Sequence, residues 1–288
     1  MTNDPVRVRP KRKKRIVKPE KIIVYIILLF CLIITVYPLI FTLLSSLKSQ
    51  NDLFSNIFGL PRKVIFQNYY DLFIVKKIQN NILHSLFIAC TTVVIQVVIC
   101  SMVAFVLSRF KFKLNNALLI FFMAGILIPQ QSVLIPITLL AKTFNGFNNY
   151  FFMIIIYVAF GVPNFVFITT GFMKGLPREI EEAAVIDGCS LAKVFWSIIM
   201  PLSIPAIASA AILSFFGAWN DLILALILLK NNAMQTISLG LVSFTNEQFS
   251  NYTGQFAAVI VSIIPTLILY FLLQKQIMKG MTAGAVKG

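Results

Sequence analysis

The chain has 288 residues, 58% of them hydrophobic and 12% charged, with a formal net charge of +15 and a mean hydropathy of +0.87. A soluble domain carries ~25% charged residues, so this composition excludes an ordinary soluble protein and points to an integral membrane protein. Cys31, Cys90, Cys100 and Cys189 show no CxxC spacing, and the single histidine, His84, has no ligand cluster around it, so neither a metal centre nor a thiol redox role is indicated.

Residues 1–21 form a basic tail containing Arg7, Arg9, Lys11, Arg12, Lys13, Lys14, Arg15, Lys18 and Lys21. The apolar run behind it outlasts the about 7–15 residues of a signal-peptide core and carries no A-x-A cleavage pattern. The tail therefore reads as a topological anchor, where anionic lipid attracts each Lys or Arg by ~1 kcal/mol. A nucleic-acid partner fits it poorly.

Crossing the ~30 Å hydrocarbon layer takes ~20 apolar residues. Six runs qualify: 22–44, 82–107, 115–139, 150–173, 203–229 and 256–275. The third holds Pro129 and Pro136 around Gln130 and Gln131, which predicts an early stop and a short continuing helix. Pro38, Pro163 and Pro265 interrupt other spans. Such breaks persist in a membrane only where protein, side chains or water satisfy the freed backbone groups, so several together suggest a bundle around a pathway.

Lys and Arg set the orientation. The basic tail, Arg109–Lys113, Lys174, Arg178, Lys193, Lys275, Lys279 and Lys287 fall on one side, against Lys48, Arg62, Lys63, Lys76, Lys77, Lys142 and Lys230 on the other. The cytoplasmic side holds the excess. The expectation is an all-α polytopic membrane protein with six transmembrane helices and both termini cytoplasmic. It divides into the tail (1–21), a membrane domain (22–279) and a short C-terminal tail (280–288).

Between the fourth and fifth spans, residues 177–201 break the apolar pattern with Glu179, Glu181, Glu182, Asp187 and Lys193. Pro177 suits a first helical position, and the carboxylates suit the positive end of the helix dipole. Gly188 suits a left-handed C-cap, and Ser190 suits the N-cap of a second helix. Leu191, Val194, Phe195, Ile198 and Ile199 would form one apolar stripe before Pro201 and Pro205 end the helix. The pattern predicts a helix-turn-helix on the cytoplasmic surface. By periodicity alone it could equally be an interfacial connector.

The order of residues distinguishes the two. Glu182-Ala183-Ala184, Asp187-Gly188, Phe195 and Pro201 resemble the "EAA…DG…F…P" loop of bacterial ATP-binding-cassette (ABC) importer permeases, with Cys189 and Met200 as mild departures. The stretch "AWNDLILALILL" from Ala218 resembles the Trp-Asn-Asp/Glu signature of maltose-type sugar permeases. The tail "GMTAGAVKG" resembles that of the smaller maltose permease subunit. The resemblance implies that Glu182, Ala183, Ala184, Asp187, Gly188, Phe195 and Pro201 couple the chain to an ATPase, and that Thr282, Gly284 and Lys287 contact the ATPase as an extended strip. It also implies a second permease subunit as heterodimer partner, an ATP-binding subunit dimer and an extracytoplasmic sugar-binding protein. This chain holds no cofactor, because it lacks a G-x-x-x-x-G-K-[ST] loop; ATP and Mg belong to the partner ATPase.

Asp221 lies at membrane depth, where a carboxylate costs ~2.5–3.5 kcal/mol. Trp219, Asn220 and Asp221 are candidates for pathway or gating roles, against a purely structural role at a helix break. Gln96, Gln130, Gln131 and Asn164 are weaker pathway candidates. Two alternatives to a sugar importer stay open: an ABC permease for another small solute, and an ion-coupled secondary transporter using Asp221. No acid/base or nucleophile constellation supports an enzyme.

Overall fold

The computed structural model describes residues 19–243 and 251–285, with side chains over 23–242 and 251–275. All regular structure among them is helical. Helix α1 (Pro19–Ser46) leads into α2 (Gln50–Ser55) and α3 (Gln67–Tyr70), the last continued by a π-turn at Asp71–Val75. These short pieces cap the end of α1. Lys48 is buried there, and its Nζ donates to the carbonyls of Asn56 at 2.7 Å and Ile57 at 3.1 Å, bonds that offset its desolvation.

The bundle follows with α4 (Ile78–Arg109), α5 (Asn115–Ile126), a 3-10 turn at Gln130–Val133, α6 (Leu134–Thr143) and α7 (Tyr150–Lys174). Next come α8 (Glu179–Ile186), α9 (Leu191–Val194), a π-turn at Phe195–Ile199 and α10 (Met200–Leu202). The chain closes with α11 (Ile204–Asn220), α12 (Ile223–Leu228), α13 (Ile237–Ser243) and α14 (Tyr252–Ala285). The main core lies where α4, α7 and α11 meet, around Ile88, Ile154, Phe215 and Trp219. In contrast, α1 exposes nearly all of its apolar side chains from Ile23 to Leu43, as a helix facing lipid or another subunit does.

Four helical segments are long and apolar enough to cross a membrane: Ile23–Ser46, Ile78–Arg109, Tyr150–Lys174 and Tyr252–Lys275. Two bent pairs bring the number up to six: Asn115–Ile126 with Gln130–Thr143 at 91°, and Leu191–Leu202 with Ile204–Asn220 at 74°. The early stop expected near Pro129 is therefore present. The run 203–229 is not one helix, because the backbone leaves the helical path at Asp221, with ψ 126°. Pro38, Pro163 and Pro265 do not end their helices, which run through all three. Before Pro163, Gln96 Nε2 donates to the carbonyls of Tyr157 (3.1 Å) and Val158 (3.2 Å), which ties this stretch of α7 to α4.

The C-terminal strip is also corrected. Gly280, Thr282 and Gly284 stand in α14, which stays helical to Ala285. A glycine costs ~1 kcal/mol in a helix interior, but extending an existing helix avoids the nucleation penalty. Lys287 and most of the basic tail lie outside the described residues.

Candidate functional site

The charged insert folds as a helix, a glycine turn and a helix. Gly188 has φ +79°, the left-handed conformation that only glycine adopts without strain. Its N–H donates to Val185 O at 3.0 Å, and Cys189 N–H donates to Ala184 O at 2.9 Å, the paired bonds of a Schellman ending. Ser190 then caps α9, its Oγ accepting from Lys193 N–H at 3.4 Å. Pro177 sits before the Arg178 cap rather than at the first helical position. Neither Pro201 nor Pro205 ends the second helix. It widens into the π-turn and bends at Ser203, where α11 begins. The expected stripe is only partly internal: Val194, Phe195 and Ile199 are buried, whereas Leu191 is exposed.

The insert is held to the bundle from one side. Ala184, Val194, Phe195 and Ile199 pack with Ala104 and Phe105 of α4 and Met173 of α7. The Phe105 and Phe195 rings lie 5.2 Å apart, in the range of favourable aromatic pairing. Arg109, at the last residue of α4, forms a close ion pair with Glu181 of α8, their side chains only 5% and 15% exposed. Burial pushes the Glu181 carboxyl above the ordinary carboxylate range, while the charge of Arg109 pulls it back down. The Arg109 guanidinium also reaches the Leu176 carbonyl at 3.4 Å.

The other side of the insert is free. Glu182, Ala183, Asp187, Gly188 and Pro201 are exposed, and Val185, Ile186 and Leu191 join them. Ile186 is 85% exposed. The seven residues named from the sequence thus divide into an internal pair, Ala184 and Phe195, and an outward set. Val185 and Ile186 were not named from the sequence, Leu191 was expected on the inward stripe, and Arg109 was read only as a topological charge. Arg109 stands 72 positions from its partner (109 to 181), so no local pattern reveals the pair.

A second site lies deeper. Gln96 of α4, Gln130, Tyr157 and Asn164 of α7, Ser214 of α11 and Asp221 border a cavity of about 260 Å³. Three of the four weaker pathway candidates therefore meet Asp221 in one place, while Gln131 stays outside and exposed. Gln96 is fully buried, and its Oε1 has no hydrogen-bond donor among the described residues. Gly161 makes room for its amide: a Cβ there would lie 1.9 Å from Gln96 Nε2.

Asp221 has a structural task as well as a cavity position. Its Oδ2 accepts from Tyr157 Oη at 2.8 Å, Leu224 N–H at 3.1 Å and Ala225 N–H at 3.2 Å, so it ties the break to α7 and caps α12. Its two sequence neighbours do not share the cavity. Trp219 is 3% exposed and stacks on Phe215 at 5.6 Å, and Asn220 is exposed away from the lining. The aromatic of the motif serves packing, and the carboxylate faces the cavity.

Comparison with known proteins agrees with this architecture. Residues 96–283 match the family described as "Binding-protein-dependent transport system inner membrane component". The chain is 36% identical over 277 residues to the putative ABC transporter permease protein ORF2 of Caldicellulosiruptor sp. (strain Rt8B.4), covering 94% of this chain and 99% of the relative. It is 32% identical over 275 residues to the maltodextrin transport system permease protein MdxG of Bacillus subtilis, covering 93% and 97%. Among solved structures, a chain of a bacterial ABC transporter involved in importing the acidic polysaccharide alginate shares the fold, with a TM-score of 0.77 at 21% identity over 92% of this chain and 99% of the other. The match takes in both the cavity and the helix–glycine–helix insert, and the chain belongs to the binding-protein-dependent transport system inner membrane component family.

Proposed function

We propose that the chain is one permease subunit of an ABC importer for oligosaccharides, forming the translocation pathway with a second, different permease. The insert carries the proposal, because it is a projection with a capped central turn, tied to the bundle by Arg109–Glu181, that presents charged and apolar groups outward. Its exposed residues Glu182, Ala183, Asp187, Gly188 and Pro201 dock on a cytoplasmic ATPase, with Val185, Ile186 and Leu191 filling an apolar groove there. Ala184 and Phe195 transmit the push to the bundle. The orientation rests on the excess of Lys and Arg on the insert's side, which puts both termini in the cytoplasm with six spans between them. Thr282 and Gly284 of α14, with Lys287 further along the chain, contact the ATPase dimer.

Sugar as cargo rests on the maltodextrin relative and on the cavity, whose amides, hydroxyls and carboxylate suit a polyhydroxylated ligand. ATP and Mg are held by the ATPase, and sugar arrives on an external binding protein. Closure of the ATPase dimer draws the inserts together and turns the cavity outward; release turns it inward. Asp221, held by three donors, acts as a fixed point of the helix break rather than as a proton carrier. The test is purification through a tag on this chain. It should recover a second permease and an ATPase whose hydrolysis accelerates with sugar-loaded binding protein. Sugar uptake by this chain alone, following an ion gradient, would refute the proposal.

A further inference from the structure

The α4–α5 turn and the end of α7 enclose another pocket, of about 520 Å³, that import leaves without a role. Arg109, Lys111, Lys113, Lys174 and Arg178 line it, and no carboxylate does. Arg109 is engaged with Glu181, whereas Lys111, Lys113 and Lys174 make no ion pair among the described residues. Gathered like charges repel one another and raise the local concentration of anions.

The pocket borders the start of α5, which has no side-chain cap. Asn115 Nδ2 is occupied by the carbonyls of Leu107 (3.2 Å) and Phe110 (2.7 Å), and its backbone N–H by Phe112 O (3.0 Å), which leaves the Asn116 side-chain amide and the N–H groups of Asn116 and Ala117 for a ligand. Apart from Ser108, the remaining lining is apolar. Phe110 and Phe112, each 39% exposed, form a lip beside the cations. The whole stands at the ends of α4 and α7, two helices long enough to cross a membrane. A cationic cup with an aromatic lip at that level matches an amphiphile.

We propose that this pocket binds the headgroup of an anionic phospholipid, with the phosphodiester among Lys111, Lys113 and Lys174 and the acyl chains leaving past Phe110 and Phe112. A free phosphate shares the charge chemistry but gains nothing from the lip. Arg109 and Arg178 also border the groove formed by α8 and α9. The bound headgroup therefore competes for the guanidinium that anchors α8, and lipid composition biases the position of the insert.

The site is tested on the detergent-purified complex by native mass spectrometry and thermal unfolding, titrated with phosphatidylglycerol, phosphatidylcholine or inorganic phosphate. Phosphatidylglycerol should bind and stabilise the wild type selectively. K111A/K113A/K174A should weaken that binding on the order of 100-fold, from the loss of three Lys, whereas the Lys→Arg triple at the same positions keeps it. A control triple with the same charge loss, K63A/K142A/K230A, should also keep it. Equal effects of the two lipids, equal stabilisation by inorganic phosphate, or undiminished binding by the first triple would each overturn the proposal. None of these readouts depends on transport or on the ATPase, so failure here is distinguishable from failure of the import function.

Discussion

Gly161→Ala should destabilise the bundle although it improves the helix that carries it. The new Cβ would lie 1.9 Å from Gln96 Nε2 and 2.8 Å from its Cδ. Gln96 is 0% exposed and borders the cavity, so its amide can move only by leaving its present partners. Moving it gives up the bonds to Tyr157 O (3.1 Å) and Val158 O (3.2 Å). Each is worth ~1 kcal/mol net, and leaving the buried amide unpaired costs ~1–3 kcal/mol. Against this, replacing a helical glycine by alanine returns ~1 kcal/mol at most. The balance is a loss of about 2–4 kcal/mol. Gln96→Ala removes the obstacle, so adding Gly161→Ala in that background should be neutral or stabilising by up to ~1 kcal/mol. Thermal unfolding of the four proteins in nanodiscs reads both legs of the cycle. A Gly161→Ala protein as stable as the wild type, or the same sign in both backgrounds, would refute the argument.

Gly188→Asp places a side chain at φ +79°, costing ~1–2 kcal/mol; membrane insertion should survive while sugar-stimulated ATPase activity falls, with Gly188→Asn milder in both respects. Glu181→Ala strands the 5%-exposed Arg109 side chain and should cost about 3 kcal/mol in unfolding assays, with the R109E/E181R exchange recovering part of it. Phe195→Ala empties a 4%-exposed site between α4 and α9, which predicts a loss of ~3–5 kcal/mol and reduced uptake even where the complex still assembles. Truncation after Lys279 removes no span; ATPase stimulation by loaded binding protein should fall, and an unchanged rate would remove the tail from the contact.

What could be read along the chain was set by local backbone chemistry. A glycine after an acidic helix and before a serine predicts the left-handed turn and the following cap, and Gly188 and Ser190 adopt them. Polar residues isolated in apolar runs predict a shared destination, and Gln96, Gln130, Asn164 and Asp221 converge. Tertiary choices were not readable in this way. The same Trp-Asn-Asp run sends its ring into the core, its amide outward and its carboxylate to the cavity, because the helix ends within it. Pro201 lies beyond a turn widened to π geometry, which keeps the chain helical where a proline ordinarily stops it. The exposure of Ile186, 85%, is not readable from its hydrophobicity either.

The insert and the cavity share two helices. α7 borders the cavity at Asn164 and ends at Lys174, just before the insert, while α11 starts at the insert's bend and borders the cavity at Ser214 before reaching Asp221. Each is a lever with its handle at the membrane edge and its load at mid-depth. From Asn164 to Lys174 the arm is roughly 15 Å at 1.5 Å per residue, so a tilt of about 10° at the handle displaces the load by roughly 3 Å, close to the width of one hydroxyl–acceptor contact. Motion of that size would be enough to make or break a hydrogen bond at the cavity lining, and a helix that tilts as one body would deliver it with no relay of side chains in between.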